Sequence, residues 1–165
     1  MLNRWKDRNR KANNGAGETS GPELPVVRFK KIRPDAARPS RGTDGSAGLD
    51  LYADDGSVLR SGDIVGLHTG IALQIPEGFC GLLMTRSSYG MRGVRIAAGC
   101  NLIDSDYRGE VIAYLRNDGD YPWTVKPGDR IAQVAIVPYL QCRLEEAEEL
   151  DDTERGAGGF GSTGR

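Results

Sequence analysis

Gly99-Cys100-Asn101-Leu102-Ile103-Asp104-Ser105-Asp106-Tyr107-Arg108-Gly109-Glu110 is the stretch on which the reading of the fold turns. An apolar pair, Leu102-Ile103, leads into acids, a hydroxyl, an aromatic ring, an arginine and a glycine. Val111, Ala113 and Leu115 then recur at every second position, the period of a half-buried strand. Apolar strand, turn residues, apolar strand is the pattern of a β-hairpin or of a tight turn between two strands. Its apolar side chains can be buried while its polar ones crowd the open end. Alone, it reads as a surface turn, because Asp, Ser and Gly are habitual turn residues.

Outward from this stretch the chain stays β-like. Val26, Val27, Phe29 and Ile32 suggest a strand, and 34–46 a Pro-, Arg- and Gly-rich loop. Ala47 to Ala53 and Phe79 to Thr85 suggest further strands. Ile71, Leu73 and Ile75 alternate until Pro76-Glu77-Gly78, and Ile131 to Val137 is nearly all apolar. Helical periodicity is confined to one turn near Ser88 to Met91 and to the acidic run after Gln141. Many short strands at this spacing predict an all-β sandwich, jelly roll or barrel over 25–150. Residues 1–24, basic and then rich in Gly and Asn, are expected to be a disordered tail, because they bury too little apolar surface to offset their ordering entropy. Glu145 to Glu154 holds seven acids in ten residues and reads as a solvated edge or the start of an arm. Residues 151–165 read as a flexible Gly-rich lid.

Composition excludes several function classes. The 165 residues carry 22 Lys+Arg against 23 Asp+Glu, and nothing in that balance points to nucleic-acid binding, so no nucleic acid is required as a partner. No apolar run reaches the ~18 residues of a membrane span, and no apolar segment marks a secretory leader. Cys80, Cys100 and Cys142 are odd in number, far apart and free of CxxC spacing, so they read as small buried or half-buried thiols, not as a metal or disulfide framework. A reducing, cytoplasmic setting fits. The single histidine, His68, reads as structural.

Four further polar groupings recur beside apolar strands. Asp50 sits within Ala47-Gly48-Leu49-Asp50-Leu51, where a buried carboxylate needs a cation or an arginine. Arg86-Ser87-Ser88 ends a strand. Gln133, in Gly128-Asp129-Arg130-Ile131-Ala132-Gln133, needs a hydrogen-bond partner if it is buried. In the tail, Arg155, Phe160, Gly161, Ser162 and Thr163 combine a guanidinium fork, a stacking ring, hydroxyls and glycine backbone that can approach an anion closely. Arginines, hydroxyls, glycine backbone, two acids and two aromatics together suit a nucleoside polyphosphate with a metal ion.

These segments, in order, resemble the five motifs of the trimeric dUTP pyrophosphatase (dUTPase) family: Ala47 to Ala53, Arg86 to Ser88, Ile103 to Glu110, Gly128 to Gln133, and Arg155 to Gly164. The resemblance covers Val26 to Arg165. It implies a distorted jelly roll of the β-clip kind and a homotrimer with exchanged C-terminal arms. It also implies Mg²⁺-dependent hydrolysis of dUTP to dUMP and pyrophosphate, which keeps uracil out of DNA and supplies dUMP for dTMP synthesis. Asp104 would be the base that activates water for attack at the α-phosphorus. Tyr107 would pack on the deoxyribose and disfavour a 2′-hydroxyl. Arg86, Ser87, Ser88 and Gln133 would meet phosphates, as would Arg155, Ser162 and Thr163, with Gly161 in the same lid. Phe160 would stack on the base. Arg155 would share the catalytic work, Mg²⁺ would be held by the triphosphate and water, and Asp50 would support that network. Uracil would be read largely by main-chain groups of the hairpin ending at Asp104, with Ala98, Asn101 and Ile103 beside it.

Three positions depart from the family pattern. Thr85 stands where proline is frequent, with little effect expected. Asn101 replaces a usual glycine, where Asn suits a positive φ better than most residues. Ala98 stands where some members have asparagine. The related dCTP deaminases need a catalytic Glu ten residues beyond Asp104, and this chain has Tyr114 there. A second alternative is a binding module that uses the nucleotide as a signal to a regulatory protein. No inserted domain supports it.

Overall fold

The computed structural model describes residues 24–159. The expected tail over 1–24, apart from Leu24, lies outside them, as do Phe160, Gly161, Ser162 and Thr163. Among the described residues, ten strands and one helical turn follow one another: β1 (Arg28–Lys31), β2 (Gly48–Tyr52), β3 (Ser57–Leu59), β4 (Ile64–Gln74), β5 (Phe79–Met84), α1 (Ser87–Gly90), β6 (Val94–Ile96), β7 (Cys100–Ile103), β8 (Glu110–Asn117), β9 (Trp123–Val125) and β10 (Arg130–Pro138). They form two four-stranded sheets, ordered β1-β4-β8-β6 and β2-β10-β5-β7, and a β3-β9 pair.

One apolar core joins the sheets, with Leu67, Val94, Ile96 and Leu115 from the first and Leu51, Leu83, Ile131 and Val134 from the second. Each such side chain stabilises the fold by about 1.5–3 kcal/mol through its burial. β8 shows the strand period cleanly, since Val111, Ala113, Leu115 and Asn117 are buried and the residues between them are not. Asn117 is polar, yet satisfied. Its amide donates to the carbonyls of Leu59 (2.9 Å) and Tyr121 (2.8 Å), and its oxygen accepts from Gly119 N–H (3.0 Å).

The structure corrects several expectations. The opening stretch is not a hairpin. β7 pairs with β5, whereas β8 pairs with β4 and β6, so residues 104–109 cross from one sheet to the other. That crossing lets Ile103 and Val111 enter the core from opposite sheets. The acidic run after Gln141 forms no helix and lies exposed without regular structure as far as Asp152. Cys80 is buried, but Cys100 and Cys142 are exposed. The strand near Val26 is a short edge strand with all four residues exposed. Thr69 to Leu73 are all buried instead of alternating, because the β4–β8 register shifts between His68 and Ala72. The helical turn near Ser88 is present as α1.

Candidate active site

Asp50 and Gln133 meet because β2 and β10 pair in register at those two residues, and Met84 of β5 lies on Gln133's other side. The Asp50 side chain is only 9% exposed. Its carboxylate accepts from Arg86 Nε (2.8 Å) and Arg130 Nη1 (3.4 Å), which supplies the cation that its burial demands. Gln133 donates its amide to the carbonyl of Thr85 at 3.3 Å. Two guanidinium groups against one carboxylate leave this corner net positive. They line a cavity of about 420 Å³ with Gly48, Asp50 and Gln133. Gly42 and Ser46 bring the Pro- and Arg-rich loop to its rim.

Behind that corner, α1 is anchored by Tyr89, whose ring meets Trp123 edge-on at 5.3 Å, with Arg92 over the same indole at 5.0 Å. The anchor leaves Ser87 and Ser88 exposed just after Arg86. Thr85 makes two contacts here. Its hydroxyl accepts from Ile96 N–H at 2.7 Å and its carbonyl holds Gln133. A proline there would supply the carbonyl but no hydroxyl. Arg130 is the residue that sequence reasoning left without a role. It meets Asp50 Oδ2 while Arg86 meets Oδ1, and the β2–β10 pairing carries both Asp50 and Arg130.

A second cavity, of about 340 Å³, lies where β7 leaves its sheet, lined by Asn101, Ile103, Asp104, Tyr107, Glu110 and Tyr114 among others. Asp104 is exposed and also borders a larger trough of about 820 Å³. Its carbonyl accepts from Tyr107 N–H at 3.2 Å, closing the turn that carries both residues. The Tyr107 hydroxyl donates to the carbonyl of Glu110 at 3.0 Å. Gly109 permits that fold-back, since a Cβ there would collide with the Tyr107 hydroxyl oxygen. Asn101 does not carry the left-handed residue of its turn. Gly99 does, with φ 79°, while Asn101 lies inside β7 opposite Leu83. Ala98 is exposed at the same turn.

Glu110 is the titratable group most shaped by this neighbourhood. Burial alone would push its carboxyl up. Hydrogen bonds from His68 and from Gly70 N–H, with the charges of His68 and Arg33, outweigh that and hold it below its ordinary value.

Within one chain the two cavities share no lining residue. Asp50, Arg86, Arg130 and Gln133 form one group, and Asn101, Ile103, Asp104 and Tyr107 the other. Arg155 joins neither. It is exposed, with its Nε donating to the carbonyl of Gly158 at 2.8 Å. Among the described residues, no three His, Cys, Asp or Glu side chains converge as a metal cage.

Comparison with known proteins places this geometry. The family model described as dUTPase matches residues 35–164. The deoxyuridine 5′-triphosphate nucleotidohydrolase of Anaeromyxobacter sp. (strain Fw109-5) is 47% identical over 141 residues, covering 85% of this chain and 96% of that protein. The protein of the same name from Hydrogenobaculum sp. (strain Y04AAS1) is 44% identical over 137 residues, covering 82% and 95%. Among solved structures, the Staphylococcus bacteriophage 80alpha dUTPase with dUPNHPP superposes with a TM-score of 0.78 at 28% identity, covering 85% of this chain and 99% of that one. With two packed antiparallel sheets, the family's motifs in order and relatives above 40% identity over most of its length, this chain belongs to the dUTPase family.

Proposed function

We propose that this chain hydrolyses dUTP to dUMP and pyrophosphate, in an active site that two or more copies assemble together. One observation carries the reading. Asp104 stands exposed on the wall of the smaller cavity, on the same turn as Tyr107, while the phosphate-binding cations line a separate cavity. A homotrimer that sets one copy's Asp104 cavity against another's Arg86 cavity makes one site of the two halves. The relatives' names and the dUTP analogue in the phage enzyme support the same substrate.

In that site, dUTP lies with its base along β7 beside Asn101 and Ile103 and its sugar under Tyr107, whose ring excludes a 2′-hydroxyl. Asp104 takes a proton from the water that attacks the α-phosphorus, the work of a carboxylate within hydrogen-bond reach of its water. Arg86, Arg130, Ser87, Ser88 and Gln133 bind phosphate oxygens and stabilise the charge that develops on the departing pyrophosphate. Residues 151–165 act as the lid, with Arg155 on the phosphates and Phe160 on the base, and 25–150 as the catalytic domain. The donor set fits Mg²⁺ held through the triphosphate, since Mg²⁺ retains waters and takes few protein carboxylates. Asp50, committed to two arginines, supports that arrangement from outside. Bound there, Mg²⁺ neutralises charge on the triphosphate.

Pyrophosphate release measured across dUTP, dTTP, dCTP and UTP with Mg²⁺ tests the reading. Turnover confined to dUTP is expected. Ammonia from dCTP would assign the chain to deamination, and no turnover of dUTP would end the proposal.

A further inference from the structure

Glu110 is the first residue of β8, and it is tied by more than the strand ladder. Its carboxylate accepts from Gly70 N–H at 2.7 Å and from His68 Nδ1 at 2.9 Å. Both partners belong to the irregularity in β4, where Thr69, Gly70 and Ile71 stand opposite Val111 alone, between the His68–Ile112 and Ala72–Glu110 pairs. A bulge leaves backbone groups without ladder partners, and here the Glu110 side chain supplies one. Gly70 is held at φ 64° with its carbonyl accepting from Ile32 N–H at 2.7 Å, so the bulge is itself fixed to the loop before it. The Glu110 carbonyl, in turn, receives the Tyr107 hydroxyl.

We propose that Glu110 is a positioning residue for the reaction: its carboxylate pins the start of β8 to the β4 bulge, and the pinned backbone carbonyl sets where Tyr107, and with it the Asp104 turn, stands against the nucleotide. The crossing segment has one end in β7 and the other at Glu110. Its remaining polar ties are internal to it: Tyr107 N–H on Asp104, and the Arg108 guanidinium on the carbonyls of Ser105 and Tyr107. Glu110 therefore fixes the far end against the opposite sheet. Because Tyr107 is the wall against a 2′-hydroxyl, loosening Glu110 relaxes sugar discrimination as well as substrate binding. His68 acts through Glu110 and touches no substrate.

The proposal rests on dUTP hydrolysis at Asp104, and wild-type turnover measured in the same experiment separates the two ideas. Full-length Glu110→Ala, Glu110→Gln and His68→Ala are compared for kcat and KM with dUTP, for the dUTP-to-UTP ratio of kcat/KM, and for urea midpoint. Glu110→Ala is expected to raise KM and to narrow the dUTP-to-UTP ratio, each by about tenfold. Glu110→Gln keeps an acceptor for Gly70 N–H and an amide for His68, and is expected to stay within about threefold of wild type. His68→Ala removes one of the two ties in a half-exposed side chain, and is expected to narrow the ratio less than Glu110→Ala does. A lower urea midpoint in Glu110→Ala with an unchanged ratio would reduce Glu110 to a structural residue. If Glu110→Ala fails to fold, an unchanged ratio in His68→Ala would overturn the proposal.

Discussion

Asp104 and Glu110 are both carboxylates at the edge of one cavity, and their surroundings give them different work. Asp104 is exposed and free to meet water, whereas Glu110 is committed to His68 and Gly70. Asp104→Asn should leave dUTP binding near normal while kcat falls about 10²- to 10⁴-fold, the usual worth of a positioned base. Equilibrium binding of a non-hydrolysable analogue beside turnover checks it, and a near-normal kcat would remove Asp104 as the base. Glu110 makes a prediction about pH. Its carboxyl is held below its ordinary value in the folded chain, so the unfolded chain takes up the proton first as pH falls. The stability that its ionised form contributes is therefore fully present above the ordinary glutamate range and lost as pH drops through the lowered value. Urea midpoints of wild type and Glu110→Gln should differ at neutral pH and converge in acid. Asp50's need for an arginine and Gln133's need for a partner were legible from the sequence, because a polar group in an apolar strand must be satisfied wherever the strand lies. Thr85's bond to Ile96 was not legible, because that contact depends on β5 and β6 meeting from different sheets.

Among the elements, alternation in β8 and the turn signal at Pro76-Glu77-Gly78 read directly, since both are local. The error at 99–110 has a physical cause. Two apolar strands around turn residues look the same whether they pair with each other or cross between sheets, and only partners distant in sequence decide. Here β5 claims β7, and β4 claims β8. The acidic run after Gln141 has helix-forming residues but no apolar face buried against the body, and most helical stability in proteins comes from such burial. This segment instead runs exposed toward the lid. Ending the chain after Glu154 removes Arg155 and the glycine-rich residues. The truncated enzyme should keep its urea midpoint, since the core ends with β10, and should lose most of its kcat if these residues act as the proposed lid, which would position the triphosphate and exclude water. Normal turnover without these residues would make the tail irrelevant to catalysis.

At the scale of the whole molecule, the two cavities stand apart. A single copy carries Asp104 and Tyr107 at one cavity and Arg86 and Arg130 at another, and the two cavities share no lining residue. Motif order was legible in the sequence, and which motifs share a cavity was not, because that depends on sheet pairing. The proposed closed cyclic assembly would bring unlike surfaces of neighbouring copies together, and so would join the two halves. The most direct test mixes two inactive variants, Asp104→Asn and Arg86→Ala, by unfolding and refolding them together in equal amounts. If sites form between copies, some junctions receive an intact Asp104 cavity from one variant and an intact Arg86 cavity from the other. The mixture should then recover about a quarter of wild-type dUTP turnover, the share of such junctions under random assembly. Activity no higher than the sum of the two variants refolded separately would contradict the shared site.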